Sequence, residues 1–158
     1  LRARRLCEAG CGFVTVSYGG WDMHGGIVKG LKSRAAQMDQ AISALIEDLS
    51  QRGMLDDTLV VITGEFGRTP KINSKGGRDH WGRLCTLALA GGGLKMGQVI
   101  GESNRDASLP AADPIANKDL VSTILHYPFN VEELRITQGI PTELIGLTES
   151  GKPIRELC

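Results

Sequence analysis

Apolar residues recur at spacings of three and four between positions 28 and 49, which is the pattern of a long amphipathic helix. The apolar stripe consists of Val28, Leu31, Ala35, Met38, Ile42, Leu45 and Leu49. Gly53 lies just beyond the stripe and is a typical helix stop. Residues 1–10 have the pattern of the end of another amphipathic helix, and a third helix is predicted over 118–126 with Asn117 as its N-cap. The tail from Pro128 is weakly patterned.

Three short apolar runs predict β-strands at residues 12–18, 59–63 and 84–90, and an edge hairpin is expected around 98–103. The run LVVIT at 59–63 shows no polar alternation, which is typical of a parallel strand covered on both faces. Helices and strands alternate along the chain. This order predicts an α/β fold with a mainly parallel sheet.

Composition narrows the function classes. The 158 residues predict one domain, and 18 Lys plus Arg balance 18 Asp plus Glu, so no net charge draws the chain to nucleic acid or to anionic lipid. Only seven aromatic residues are available for stacking on bases, and no apolar run approaches the roughly 18 residues of a membrane span. The four cysteines include no CxxC pair, which argues against a Cys-based zinc site. The glycines at 91–93 lack the rest of a phosphate-cradling motif, so a nucleotide site is a weak alternative.

Side chains that can bind metals follow two of the predicted strands. Asp22 and His24 come after the first strand, whereas Glu65, Asp79 and His80 lie in the long loop after the second. Ligands of open α/β sheets bind beyond the carboxyl ends of strands. Mixed carboxylate and imidazole ligands suit zinc, manganese or iron. The sequence therefore predicts a divalent metal site at these five residues.

Structural roles are the alternative for each candidate. Asp22 is also suited to cap the helix that begins near Gly26. Glu65 and Arg68 are close enough in sequence to form a surface ion pair. Either loop histidine alone is often structural, and His126 inside the third predicted helix is expected to be so.

Several motifs in order, GGWDMHGG, VVITGEFGRTPKI, GRDHWGR and GKPIREL, carry a family resemblance over nearly the whole chain. The chain resembles the C-terminal part of the domain-of-unknown-function 1501 proteins, bacterial relatives of sulfatases and alkaline phosphatases. The resemblance implies that residues 1–158 are a single partial domain of a three-layer α/β/α, alkaline-phosphatase-like fold. It also implies metal ions at strand ends and cleavage of sulfate or phosphate esters.

The resemblance can be carried onto individual positions. Asp22 and His24 correspond to the Asp and His of a DxxxH-type motif, here shortened to DxH. Glu65 stands where such enzymes usually have Asp, and Phe66 stands where they usually have His. His80 corresponds to the late histidine of the first metal site, with Asp79 as a neighbour or alternative ligand. The nucleophile and one further Asp ligand are expected from a missing N-terminal part of the same protein.

Two functional hypotheses follow from the resemblance. The first is a metal-dependent hydrolase of small-molecule or polysaccharide esters, in which Arg68 or His80 neutralises charge on the transferred group. The second is a non-catalytic metal-binding or structural member, because Phe66 and the short DxH spacing depart from the catalytic pattern. Family members commonly carry an export signal, so a periplasmic or extracellular location is expected.

Overall fold

The computed structural model describes residues 1–111 and 114–158, which form a mixed α/β fold. Helices account for most of its regular structure, and each of its strands is only two to four residues long. In chain order the elements are α1 (Arg2–Glu8), α2 (Ile27–Gln51), β1 (Leu59–Ile62), β2 (Gly67–Arg68), β3 (His80–Trp81), β4 (Ala88–Gly91), α3 (Asn117–His126), α4 (Val131–Ile136), α5 (Thr142–Ser150) and a 3₁₀ turn (Arg155–Leu157).

The three predicted helices are present. α2 follows its apolar stripe down to Leu49, which is the most deeply buried apolar side chain of the described residues. α1 is fixed to α2 by the buried Arg4, whose Nε lies 2.6 Å from Asp48 Oδ2. The cap of α3 differs from the prediction, because Ala116 is the N-cap and Asn117 is already helical.

The prediction of a mainly parallel sheet is wrong for the described residues. β1 pairs antiparallel with β4, with Leu59 opposite Gly91, and β2 pairs antiparallel with β3. Parallel neighbours need a crossover, usually a helix, to return the chain to the same end of the sheet. Residues 63–87 contain the β2–β3 hairpin and loops instead of a helix, so the chain re-enters beside β1 in the opposite direction.

Two further strand predictions differ from the structure. Residues 12–18 form no ladder with any described strand, and Phe13 and Val16 are 75% and 74% exposed. Around residues 98–103 the predicted hairpin is reduced to a single antiparallel bridge between Ser103 and Pro110. The sheet is therefore small, and its candidate site depends on loops more than on strand ends.

The weakly patterned tail folds into two helices, of which α5 packs on α3 and α4 packs on α5. Ser122, on α3, is fully buried and donates a hydrogen bond to the carbonyl of Thr148 on α5, at 3.2 Å. The backbone N–H of Ile154 donates to Thr123 Oγ1 at 2.9 Å, which fixes the last turn against the same helix. Among the described residues, no helix is both long enough and apolar enough to cross a bilayer.

Candidate metal centre

Two segments far apart in sequence meet at the start of α2. The loop before α2 supplies Asp22 and His24. The β2–β3 hairpin supplies the side chains that face them, which are Arg68, Asp79 and His80. Backbone hydrogen bonds hold the two segments together, from Gly26 N–H to the Lys75 carbonyl at 3.1 Å and from Arg78 N–H to the Met23 carbonyl at 3.0 Å. The hairpin register then places Arg68 directly opposite His80.

Three atoms that could donate an electron pair to a metal lie close together, one each from Asp22, His24 and His80. Asp22 Oδ1 lies 3.0 Å from His24 Nε2 and 2.9 Å from His80 Nε2, and the two Nε2 atoms are 3.2 Å apart. The three atoms form an almost equilateral triangle. The side chains are 62%, 45% and 51% exposed, so solvent or a substrate can reach the open side of the triangle.

The spacing of this triangle fits a divalent cation. With metal–ligand bonds of about 2.1 Å, ligands at right angles to one another lie about 3.0 Å apart, and tetrahedral ligands lie about 3.4 Å apart. The observed separations of 2.9, 3.0 and 3.2 Å match the right-angled, facial arrangement. Two imidazoles and one carboxylate in that arrangement leave further positions open, as in facial-triad metal sites.

Asp79 orients His24 from the other side of the ring. His24 Nδ1 lies 2.7 Å from Asp79 Oδ1, which identifies Nδ1 as the hydrogen-bond donor. A neutral ring that donates from Nδ1 presents a lone pair from Nε2, and this lone pair faces Asp22 Oδ1, which is also an acceptor. Two acceptors at 3.0 Å need a proton or a cation between them. A carboxylate behind a ligating histidine is a recurrent arrangement in metal sites.

Arg68 adds positive charge beside the triangle. Its Nη2 lies 2.6 Å from Asp22 Oδ1, and its Nη1 donates to the Arg78 carbonyl at 3.2 Å. The side chain is 26% exposed, and its Cζ lies 5.7 Å from the centroid of the Phe66 ring. Its planar fork of N–H donors suits binding of sulfate or phosphate oxygens.

Both carboxylates of the cluster are held in the ionised form. Hydrogen bonding from His80 and then from Arg68 lowers the pKa of Asp22 from 3.8 to about 2. Hydrogen bonding from His24 and from Asn73 lowers the pKa of Asp79. Ionised carboxylates are the form that binds cations, so both residues are ready to interact with one at neutral pH.

Glu65 and Phe66 follow β1, and of the two only Phe66 borders the cluster. The Phe66 ring is half-buried and lies 4.3 Å from the His80 ring, measured between centroids. It therefore forms an apolar wall where the resemblance would place a ligating histidine. Glu65 is exposed, and within the described residues its carboxylate joins none of the ion pairs or hydrogen bonds of the cluster.

Four of the five predicted metal-site residues thus come together, and Glu65 stays apart. Two of the structural alternatives are wrong, namely the helix cap at Asp22 and the ion pair between Glu65 and Arg68. Gly26 is the N-cap of α2, so Asp22 does not cap that helix. Arg68 pairs with Asp22 and not with Glu65.

Sequence reasoning missed Asn73, whose side-chain amide contacts both sides of the site. Its Nδ2 donates to Asp79 Oδ1 and to the His24 carbonyl, each at 3.1 Å. An Asn within the loop segment INSKGG is a common turn residue, and only its contacts distinguish it from one.

Comparisons with curated proteins and with solved structures return no match to this chain. A family model described as "Protein of unknown function (DUF1501)" matches residues 1–158. This match covers both segments of the cluster, including DMH at 22–24 and DHW at 79–81. The chain therefore belongs to the DUF1501 family.

Proposed function

We propose that Asp22, His24 and His80 hold a divalent cation, and that the site serves the hydrolysis of sulfate or phosphate esters. The observation that carries the proposal is the triangle of donor atoms 2.9 to 3.2 Å apart. Zinc, manganese and iron suit this set of ligands. When bound, such an ion would act as a Lewis acid on an ester oxygen and lower the pKa of a nucleophile.

The chain's own residues have separate tasks in this proposal. Asp79 fixes the His24 ring and its tautomer, and we do not assign it as a ligand because its Oδ1 faces Nδ1, away from the triangle. Arg68 binds the anionic oxygens of the ester group and neutralises charge that develops there. Phe66 limits the approach of water along the face of His80. The nucleophile and a further Asp ligand are proposed to come from outside these residues, as the family resemblance implies.

The metal site is tested by elemental analysis and calorimetric titration of the metal-stripped chain with Zn²⁺, Mn²⁺ and Fe²⁺. We expect one equivalent in the wild type and none in the double variant His24→Ala/His80→Ala. His126→Ala is the matched control, because His126 is the third histidine and bonds within α3, through Nδ1 to the Ser122 carbonyl. Equal metal content in the double variant and the control would contradict the site.

The ester-binding role is tested on the metal-loaded chain with inorganic phosphate and sulfate. Removing a charged hydrogen-bond donor costs about 1.5 to 3 kcal/mol, so Arg68→Ala should weaken anion binding by roughly 10- to 100-fold. Arg105→Ala is the control, since Arg105 is exposed and its side chain takes part in no hydrogen bond or ion pair within the described residues. Equal phosphate and sulfate affinity in Arg68→Ala and the wild type would remove the basis for proposing an ester substrate.

A non-catalytic metal-binding protein is the second candidate, and Phe66 is the observation that favours it. The ring fills a position where a second-site ligand is expected, next to His80. A chain that binds one cation but neither phosphate nor sulfate would support this candidate over the hydrolase.

A further inference from the structure

Asn73 connects both segments of the candidate site through one side chain. The residue lies in the β2–β3 hairpin, half-buried and 49 residues along the chain from His24. Its Nδ2 donates to the His24 carbonyl and to Asp79 Oδ1, while its Oδ1 accepts from the N–H groups of Lys75 and Gly77, each at 3.0 Å. Both ends of the amide are therefore used, in opposite directions.

The two ends have different consequences. The Oδ1 contacts fix the hairpin loop itself, since Lys75 and Gly77 are its close neighbours. The Nδ2 contacts act on the site, because Asp79 Oδ1 receives one hydrogen bond from Asn73 and a second from His24 Nδ1 at 2.7 Å. The hydrogen bond from Asn73 fixes the position of Asp79 Oδ1, and this oxygen then accepts the hydrogen bond from His24 Nδ1.

We infer that Asn73 is a positioning residue, which aims His24 Nε2 at the cation by holding Asp79 and the His24 backbone in place. The inference rests on the proposed metal site. Outer-shell partners of this kind typically change metal affinity 10- to 100-fold when they are removed. Beyond its own loop, the Asn73 side chain hydrogen-bonds only to Asp79 and the His24 carbonyl among the described residues, so it acts on the site through Asp79 and His24.

Two single variants provide the test. Asn73→Asp keeps an Oδ1 acceptor for the loop but loses the Nδ2 donor, so it turns an acceptor toward Asp79 and the His24 carbonyl. Asp79→Asn removes a negative charge but keeps an Oδ1 that accepts from both Asn73 and His24. Asn73→Asp adds a negative charge near the cation, so electrostatics alone would strengthen binding, whereas loss of positioning weakens it.

We expect Zn²⁺ or Mn²⁺ affinity, measured by competition with a chelator, to fall about 10- to 100-fold in Asn73→Asp despite the added negative charge. Asp79→Asn measures the effect of charge with both hydrogen-bond contacts of Oδ1 kept. Thermal unfolding measured alongside shows whether the hairpin is intact. Wild-type or stronger affinity in a folded Asn73→Asp would overturn the inference.

A second measurement separates this inference from the proposed function. ¹⁵N spectra of the histidines in the metal-free chain report the tautomer of His24. We expect the Nδ1–H form in the wild type and in Asp79→Asn, where Oδ1 still accepts from Nδ1, and a mixture in Asn73→Asp. If the wild type binds no divalent metal, the proposed function fails, and the His24 tautomer still decides the role of Asn73. An unchanged Nδ1–H form in Asn73→Asp would reject that role.

Discussion

Gly77 is the residue that allows the hairpin to approach the loop before α2. It is buried, and a Cβ added there would overlap with the His24 carbonyl carbon and with Gly25 N. Both contacts are with backbone, which cannot rotate away as a side chain could. The position of His24 relative to His80 therefore depends on the absence of a side chain at Gly77.

Gly77→Ala should push the two segments apart. Overpacking of this kind costs about 1 to 3 kcal/mol, and the displacement of His24 should also weaken binding of a divalent metal. Denaturant unfolding and metal titration measure the two effects. Gly82→Ala is the control, since a Cβ at Gly82 meets no atom within 4 Å. Equal stability and metal affinity in the two variants would show that the backbones can separate freely.

At this scale the sequence identifies candidate residues for the cluster but not the contacts among them. Asp22, His24, Asp79 and His80 could be chosen as candidates from their residue types and their positions after predicted strands. The assignment of Asp79 to the outer side of His24 could not, since it depends on which ring nitrogen faces the carboxylate. Asn73 and Gly77 were missed because their importance lies in contacts with backbone on a distant segment.

Among the elements, helices were the most predictable. α2 was predicted because one apolar stripe runs along most of its 25 residues. The direction of β1 relative to β4 was not, because an apolar run states that a strand is covered and does not state which way its neighbour runs. The helices of the tail were missed because their buried faces include polar residues such as Thr148, which weaken the periodic signal.

Asp119 joins the start of α3 to the turn after α5. Its two oxygens accept from the N–H groups of Ala116 and Lys152, each at 3.0 Å. These hydrogen bonds, first from Lys152 and then from Ala116, lower the pKa of Asp119 below its ordinary value of 3.8. A carboxylate whose pKa is lower in the folded chain than in the unfolded chain stabilises the folded chain at pH values above the unfolded pKa. This stabilisation is lost as the pH falls through the folded pKa.

Asp119→Asn should therefore lower the melting temperature at pH 7, where the ionised carboxylate contributes fully. The difference in melting temperature from wild type should shrink as the pH falls below about 4, because the wild-type carboxylate then becomes protonated and is neutral, like the Asn amide. Melting curves between pH 3 and pH 7 measure this. Asp39→Asn on α2 is the control for the charge change, since the Asp39 carboxylate takes part in no hydrogen bond or ion pair within the described residues. A difference that is constant with pH would contradict the argument.

The whole molecule exposes more surface than its mass predicts. Its accessible area is 11352 Å², whereas a compact folded protein of this mass exposes about 7,700 Å². The excess of roughly 3,700 Å² exceeds what each partner buries in a standard protein interface, about 800 Å². Part of it is the unpaired segment 12–18, with Phe13 and Val16 exposed. Surface of this kind promotes association.

We expect the isolated chain to self-associate as its concentration rises, and the double variant Phe13→Ser/Val16→Ser to remain monomeric at higher concentrations. Size-exclusion chromatography with light scattering measures the mass directly. Val99→Ser is the control, because Val99 is 96% exposed and lies outside the unpaired segment. A wild-type chain that stays monomeric at every concentration would show that this surface is tolerated in water.

His24 and His80 are 56 residues apart with α2 between them, so a cation bound at the proposed site would be linked to folding by mass action. In the unfolded chain the donors are dispersed, so a cation with affinity for the triangle binds almost exclusively to the folded form. Free cation at 100 times its dissociation constant then stabilises that form by about 2.7 kcal/mol. For a chain with so small a core, the supply of metal in its surroundings would decide how much of the protein is folded.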